Sequence, residues 1–124
     1  MQTVTIRQLF AASRVPELRG GMFDLHACLN RNEIIRPSER KIIPCGISVD
    51  IPQGYCLATL SRAGLAVRHG VTVHNAPALL HEGDSGELRV VLHNSSNETF
   101  SVFPDACIAS AVFLPILAFT WSDK

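Results

Sequence analysis

Hydrophobic and polar residues alternate in short stretches along much of this chain. Ile47, Val49 and Ile51 are separated by polar residues, and a turn at residues 52–54 leads into a further apolar-rich stretch at residues 55–60. A period of two is typical of strands that bury one face, and proline and glycine between such stretches are typical of turns. The pattern therefore predicts a strand, a turn and another strand.

The later part of the chain continues this pattern. Further strands are predicted at residues 88–92, 99–103 and 107–117, with a polar loop at residues 94–98. A short helix is predicted at residues 62–69, although it contains Gly64, which lowers helix propensity by about 1 kcal/mol relative to alanine. Many short strands and little helix predict an all-β fold, either a β-barrel or a jelly-roll-like sandwich.

The composition fits one small globular domain, which we assign to residues 1–124. Hydrophobic residues make up 47% of the 124 residues and charged residues 18%, which favours a compact core over a disordered chain. Lysine plus arginine equals aspartate plus glutamate, with 11 of each. A chain without net charge has no overall field that attracts nucleic acid or a membrane surface. We therefore expect neither as a partner.

The cysteines and histidines are not spaced as metal ligands. No CxxC pair is present, and no two histidines share a helix face or an HxH strand pattern. No segment has the pattern of a signal peptide or a membrane span. We expect reduced core cysteines in a cytoplasmic protein, histidines on the surface or in hydrogen-bonded loops, and no metal site. These residues are Cys28, Cys45, Cys56 and Cys107, and His26, His69, His74, His81 and His93.

Four segments resemble the motifs of a known family. They are GMFDLHA at residues 21–27, SRAGLA at 61–66, ALLHEGDSGE at 78–87 and CIASAV at 107–112. In this order they are similar to the first four motifs of the trimeric dUTPases, and the resemblance covers about residues 20–117. It implies a dUTPase-like β-barrel, or distorted jelly roll, that associates as a homotrimer with three shared active sites.

The resemblance also implies which residues contact a nucleotide. It assigns the phosphate groups to Ser61, Arg62, Ala63 and Gly64, with Ser110 from the fourth motif. It assigns uracil to Asn75 and to the hairpin backbone that runs from Ala78 through Leu80 to Glu82. His81 stands at the position of the aspartate that deprotonates the attacking water, and Asp84 stands at the position of the tyrosine that packs on the deoxyribose.

Asp24 and Arg62 keep the family's residue types and are expected to lie close together. One interpretation is a half-buried ion pair that joins two loops. The other is a functional role, with Asp24 as a candidate catalytic residue and the Arg62 guanidinium bound to a phosphate group.

Several family residues are exchanged. Histidine replaces the catalytic aspartate at His81, and a histidine can act as a general base near neutral pH. Asp84 cannot stack on a sugar and would repel a nearby phosphate. The remaining exchanges are Ala63 for serine, Ser110 for glutamine and Cys107 for arginine. The fifth motif, on a C-terminal arm, has no counterpart in the 14 residues after Ser110.

These exchanges predict a protein that is not an efficient enzyme. The leading hypothesis is a non-hydrolytic nucleotide-binding trimer that sequesters a nucleotide, or a nucleotide-derived signal, for a virus or phage. One alternative is a protein-interaction module that binds a host protein. Another is an atypical dUTP diphosphatase that uses His81 as the base. No cofactor is expected, except Mg²⁺ that accompanies a bound triphosphate.

Overall fold

The computed structural model describes residues 2–123, which form β-strands and one short helix. The helix is α1 (Ala63–His69). The strands are β1 (Ile6–Gln8), β2 (Met22–His26), β3 (Glu33–Ile35), β4 (Arg40–Pro44), β5 (Ile47–Val49), β6 (Tyr55–Leu60), β7 (Val71–Val73), β8 (Ala78–His81), β9 (Arg89–Asn94), β10 (Phe100–Val102) and β11 (Cys107–Pro115). The all-β prediction is confirmed.

The strands form antiparallel sheets whose neighbours are distant in sequence. A four-stranded sheet has the order β2-β11-β6-β8, and a three-stranded sheet has the order β4-β9-β7. The pairs β1-β5 and β10-β3 complete the arrangement. β5 and β6 are consecutive in the chain but lie in different sheets, because β5 pairs with β1 while β6 pairs with β11 and β8.

The core is apolar and continuous across the sheets. In β9, Val90, Leu92 and Asn94 are buried while the residues between them are less so, which is the period of two expected of a strand with one buried face. The largest fully buried side chains include Leu25, Ile35, Ile43, Ile47, Leu57, Leu92 and Ile108.

The helix ends at a glycine that the backbone requires. Gly70 has a φ of 65°, and an added Cβ would lie 3.2 Å from Ser95 Oγ. Glycine adopts this left-handed conformation without the steric penalty of a side chain. The Gly70 carbonyl accepts a hydrogen bond from the Ser95 N–H at 2.9 Å, so the helix end is fastened to the loop after β9. The predicted helix is thus confirmed in position.

The loop at residues 74–77 connects two different sheets. β7 pairs with β9 and β8 pairs with β6, so the strands on either side of residues 74–77 belong to different sheets. The physical reason is burial: Val71 and Val73 face the core beside β9, and Leu80 packs against the core beside Leu57 of β6.

No helix within residues 2–123 is long and apolar enough to cross a membrane.

Candidate functional site

Asp24 and Arg62 form the expected ion pair. Arg62 Nη1 donates to Asp24 Oδ1 at 2.9 Å, and the Asp24 side chain is 24% exposed and that of Arg62 37%. Asp24 lies within β2, whereas Arg62 precedes α1. The pair therefore joins a strand to a loop, and the predicted loop-to-loop contact is wrong in that detail. Both side chains remain accessible to a ligand.

A second arginine contacts the same carboxylate oxygen. Arg19 Nη2 lies 3.4 Å from Asp24 Oδ1. Arg19 also lines a cleft of about 230 Å³, here called the Asp24 cleft, together with Arg14, Glu17 and His26. The motif resemblance did not indicate Arg19, because it precedes the first motif and reaches Asp24 only through the fold.

Neighbouring strands bring two further motif positions to this place. Ser110 of β11 pairs with Asp24 on one side and with Leu60 on the other, so the fourth motif lies between the first and the second. Burial raises the pKa of the Cys107 thiol, and the charge of Arg62 partly opposes that shift. The Cys107 side chain therefore lies within electrostatic reach of the Asp24–Arg62 pair.

The predicted phosphate-binding segment is partly occupied by internal contacts. Ser61 Oγ accepts a hydrogen bond from the Val73 N–H at 2.9 Å, so this hydroxyl fastens β7 to the end of β6. Ala63 and Gly64 are exposed at the start of α1. Of this segment, Arg62 presents the charged group that can bind an anion.

His81 lies in a different cleft. Together with residues 53–55 and 116–118 it lines a cleft of about 360 Å³, here called the His81 cleft. The His81 N–H donates to Asp84 Oδ2 at 2.8 Å, and the Asp84 N–H donates to the His81 carbonyl at 3.0 Å. Asp84 thus holds the turn that carries His81 and does not extend over a ligand surface.

The exposed edge of β8 lies within the backbone stretch, residues 78–82, that the resemblance assigns to the base. β8 pairs only with β6 among the described strands. Both backbone groups of His81 are directed away from β6, toward Asp84, and in an antiparallel pair this orientation recurs at every second residue. Leu79 therefore presents its backbone outward, whereas Ala78 and Leu80 face β6. Within residues 78–82, the outward backbone groups of β8 are therefore those of Leu79 and His81.

The two clefts are far apart within one chain. Asp24, Ser110 and Leu60 form one row across the sheet, while His81 pairs with Cys56, four residues before Leu60. At about 3.3 Å per residue along a strand and about 4.8 Å between strands, Asp24 and His81 are separated by about 13 Å along the sheet and about 14 Å across it. One chain does not bring the candidate residues together.

Several histidines and cysteines differ from expectation. His26, His81 and His93 lie on strands and His69 lies in α1, where its ring packs 5.1 Å from Phe100. His69, His74 and His81 are exposed, which confirms the prediction of surface or loop histidines for these three, and the prediction is wrong for His26 and His93, which are half-buried on strands. All four cysteines are free, and Cys45 and Cys56 are buried as expected. Cys28 and Cys107 are half-buried, because each lies at the border of the core. Asn75 is exposed in the loop before β8.

Comparisons with known proteins identify similar sequences. A family model described as dUTPase matches residues 19–123. The deoxyuridine 5'-triphosphate nucleotidohydrolase of Chlamydia pneumoniae is 39% identical over 101 residues, covering 82% of this chain and 70% of that protein. The enzyme of the same name from Syntrophotalea carbinolica is 36% identical over 122 residues, covering 94% of this chain and 82% of that protein.

Solved structures share the fold. A variant dUTPase from phage phi11 of S. aureus matches with a TM-score of 0.88 at 18% identity, covering 99% of this chain and 97% of that chain. A variant dUTPase from Staphylococcus bacteriophage 80alpha, described with dUpNHpp, also has a TM-score of 0.88 at 18% identity, covering all of this chain and 89% of that one. At this identity the likeness establishes the β-fold alone.

Proposed function

The chain belongs to the dUTPase family, and we propose that it hydrolyses dUTP to dUMP and pyrophosphate. The observation that carries this proposal is the 39% identity over 101 residues to an enzyme named for that reaction. The half-buried Asp24–Arg62 pair supports it, because this pair provides a cation at a surface that remains open to a phosphate group.

The hypothesis of a non-hydrolytic, nucleotide-sequestering protein is wrong. Proteins 36–39% identical to this chain, over 82–94% of its length, are named as nucleotidohydrolases. The same relatives argue against a module that only binds other proteins. They are bacterial, so they give no support to a viral or phage source. The exchanged side chains at residues 63, 81 and 84 are therefore not sufficient grounds for loss of the reaction.

In the proposed mechanism His81 is the general base. A neutral imidazole accepts a proton from the water molecule, and the water oxygen forms a bond to the α-phosphorus as the bond to the bridging oxygen breaks. That electron pair leaves with pyrophosphate. Asp84 orients the His81 turn through its two hydrogen bonds. Arg62 binds phosphate oxygens and stabilises the negative charge that accumulates on them.

The proposed active site is shared between subunits of a homotrimer. The Asp24 and His81 clefts lie at opposite ends of one sheet, so a ligand that contacts both must lie between two chains. The exposed apolar side chains near the C-terminus, with Leu117 75% and Phe119 88% exposed, are suited to burial against a neighbouring subunit. We further propose that residues 1–124 act as one domain and that the protein works in a reducing, cytoplasmic environment.

Mg²⁺ enters this proposal with the substrate. Within residues 2–123 no group of three or more His, Cys, Asp or Glu side chains could hold a metal ion alone. Asp24 nevertheless fits a hydrated ion, because both of its protein contacts use Oδ1 and no described residue donates to Oδ2. Mg²⁺ prefers oxygen ligands and keeps several waters. When bound, it would neutralise charge on the triphosphate.

Pyrophosphate release from dUTP in the presence of Mg²⁺ tests the proposal. We expect release by the wild type, and loss of at least a hundredfold in kcat for His81→Ala. His69→Ala provides a matched control, since His69 packs on Phe100 away from both clefts. Equal rates for His81→Ala and wild type would remove His81 from the mechanism, and the absence of release from the wild type would contradict the function itself.

A further inference from the structure

Arg19 is fixed by a tight turn in front of β2. The Arg19 N–H donates to the Met22 carbonyl at 2.8 Å, and the Met22 N–H donates to the Arg19 carbonyl at 3.1 Å. Gly20, with a φ of 63°, supplies the left-handed residue between them. The turn brings Arg19 back over the outer face of β2. Its guanidinium reaches Asp24, two residues beyond the turn.

Two guanidinium groups therefore share one carboxylate oxygen. Arg62 and Arg19 both contact Asp24 Oδ1, at 2.9 and 3.4 Å. A guanidinium has five N–H donors, and Arg19 uses one of them in the described contacts. The remaining donors are accessible, because the Arg19 side chain is 59% exposed. Paired arginine groups of this kind match the oxygens of a phosphate.

Cys107, in the fourth motif, lies within electrostatic reach of both guanidinium groups. Burial raises the pKa of the Cys107 thiol, while the charges of Arg62 and Arg19 both act to lower it. Both guanidiniums thus lie near the position where the fourth motif of the family has an arginine. Arg19 supplies, from a different segment, a cation that Cys107 does not.

His26 also lines the Asp24 cleft. Its Nδ1 atom is buried and has no hydrogen-bond partner among the described residues. Burial and the charge of Arg14 lower the pKa of His26, so the ring is neutral at neutral pH. A buried ring nitrogen without a partner costs free energy.

We propose that the Asp24 cleft is a phosphoryl-binding subsite in which Arg19 is the second cationic contact to the substrate's triphosphate, beside Arg62. This proposal rests on the proposed function and makes it more specific. The nearby Asp105 carboxylate does not oppose phosphate binding, because Arg14 neutralises it through a bidentate ion pair. Glu17 is the one acidic lining residue without an ion pair among the described residues, and its charge should weaken binding.

Binding of inorganic tripolyphosphate, measured by titration calorimetry, tests the subsite without any chemical step. We expect Arg19→Gln to weaken binding about tenfold, the low end for one charge-assisted hydrogen bond at a half-exposed position. Arg19→Lys should recover part of the loss, and Glu17→Gln should strengthen binding. Arg40→Gln is the matched control, since Arg40 is exposed at the start of β4 in another sheet.

The same variants, assayed with dUTP, separate this proposal from the proposed function. We expect Arg19→Gln to raise KM about tenfold with kcat changed less than threefold. Tripolyphosphate binding that depends on Arg19, without dUTP hydrolysis by the wild type, would support the subsite and contradict the function. Hydrolysis with KM unchanged in Arg19→Gln would overturn the subsite alone. Failure of the wild type to bind tripolyphosphate would also overturn it.

Discussion

Asp84 and His81 are joined by two hydrogen bonds across one turn, from the His81 N–H to Asp84 Oδ2 at 2.8 Å and from the Asp84 N–H to the His81 carbonyl at 3.0 Å. The first hydrogen bond requires the Asp84 carboxylate, whereas the second involves only backbone atoms. Asp84 therefore determines how rigidly the end of β8 is held, and with it the His81 ring. In the proposed mechanism this makes Asp84 a positioning residue.

Asp84→Ala should loosen this turn without unfolding the protein. We expect faster hydrogen exchange of the His81 amide by roughly five- to tenfold, the effect of losing about 1 kcal/mol of hydrogen bonding. We also expect kcat to fall at least tenfold with KM nearly constant, since a base displaced by about 1 Å can cost on the order of a hundredfold in rate.

Asp84→Asn should restore most of the wild-type exchange rate of the His81 amide and most of kcat, because an amide oxygen can also accept from the His81 N–H. Ser85→Ala is the control, since Ser85 directly follows the turn, is exposed, and its side chain makes no hydrogen bond among the described residues. Unchanged exchange of the His81 amide in Asp84→Ala would show that the carboxylate does not hold the turn in solution.

The single tryptophan reports on the proposed trimer. Trp121 is 99% exposed in the isolated chain, and the chain contains no other tryptophan. If the C-terminal segment packs on a neighbouring subunit, its fluorescence emission should move to shorter wavelength and acrylamide should quench it weakly. Light scattering on the same sample should give about three times 13.5 kDa.

Deletion of residues 120–124 is the complementary experiment. If this segment holds the subunits together, its removal should dissociate the trimer. A trimer by light scattering in which Trp121 is quenched as readily as a free tryptophan would contradict burial of this segment. A mass near 13.5 kDa for the wild type would contradict the trimer.

Asp105 should make stability depend on acidic pH. The hydrogen bond and the charge of Arg14 hold the pKa of Asp105 below its ordinary value of 3.8. A carboxyl whose pKa is lower in the folded state stabilises the protein above its unfolded pKa, and that contribution is lost as pH falls through the folded value. The loss is therefore expected below about pH 4.

Thermal unfolding at pH 5 and pH 3 measures this effect. The drop in Tm between the two should be smaller in Asp105→Asn than in the wild type. Glu98→Gln serves as control, because Glu98 is exposed and forms no ion pair among the described residues. Since the pair is exposed to solvent, the difference should shrink at high salt. Identical drops in the wild type and Asp105→Asn would contradict a stabilising Arg14–Asp105 pair.

Local patterns predict much of the fold but not its pairing. The alternation at β9 and the turn before β6 are visible in the sequence, because period and turn chemistry are local properties. The pattern does not predict the short strands β1, β3 and β4, and it does not show that β7 and β8 lie in different sheets. Their partners lie far away in sequence, so pairing depends on which side chains the core accepts.

The candidate site, like the fold, is predicted by the sequence only in part. The motif resemblance predicts Asp24, Arg62 and His81 as site residues, which the proposed mechanism adopts, but the exchanged residues led to the wrong conclusion about hydrolysis. Arg19 could not be found from a motif, since its contact with Asp24 arises from the turn before β2. The two consecutive glycines after it are the only local signal of that turn. The outward backbone of Leu79 likewise follows from sheet register, which the sequence does not reveal.

Phosphorus NMR of dUTP incubated with Mg²⁺ and a catalytic amount of the protein tests the central claim most directly. Cleavage between the α- and β-phosphorus atoms should replace the three triphosphate resonances by those of dUMP and pyrophosphate, over many turnovers. The His81→Ala variant should leave the spectrum nearly unchanged over the same time. A wild-type spectrum that stays that of dUTP, or that shows orthophosphate and dUDP, would contradict the assignment as a dUTP diphosphatase.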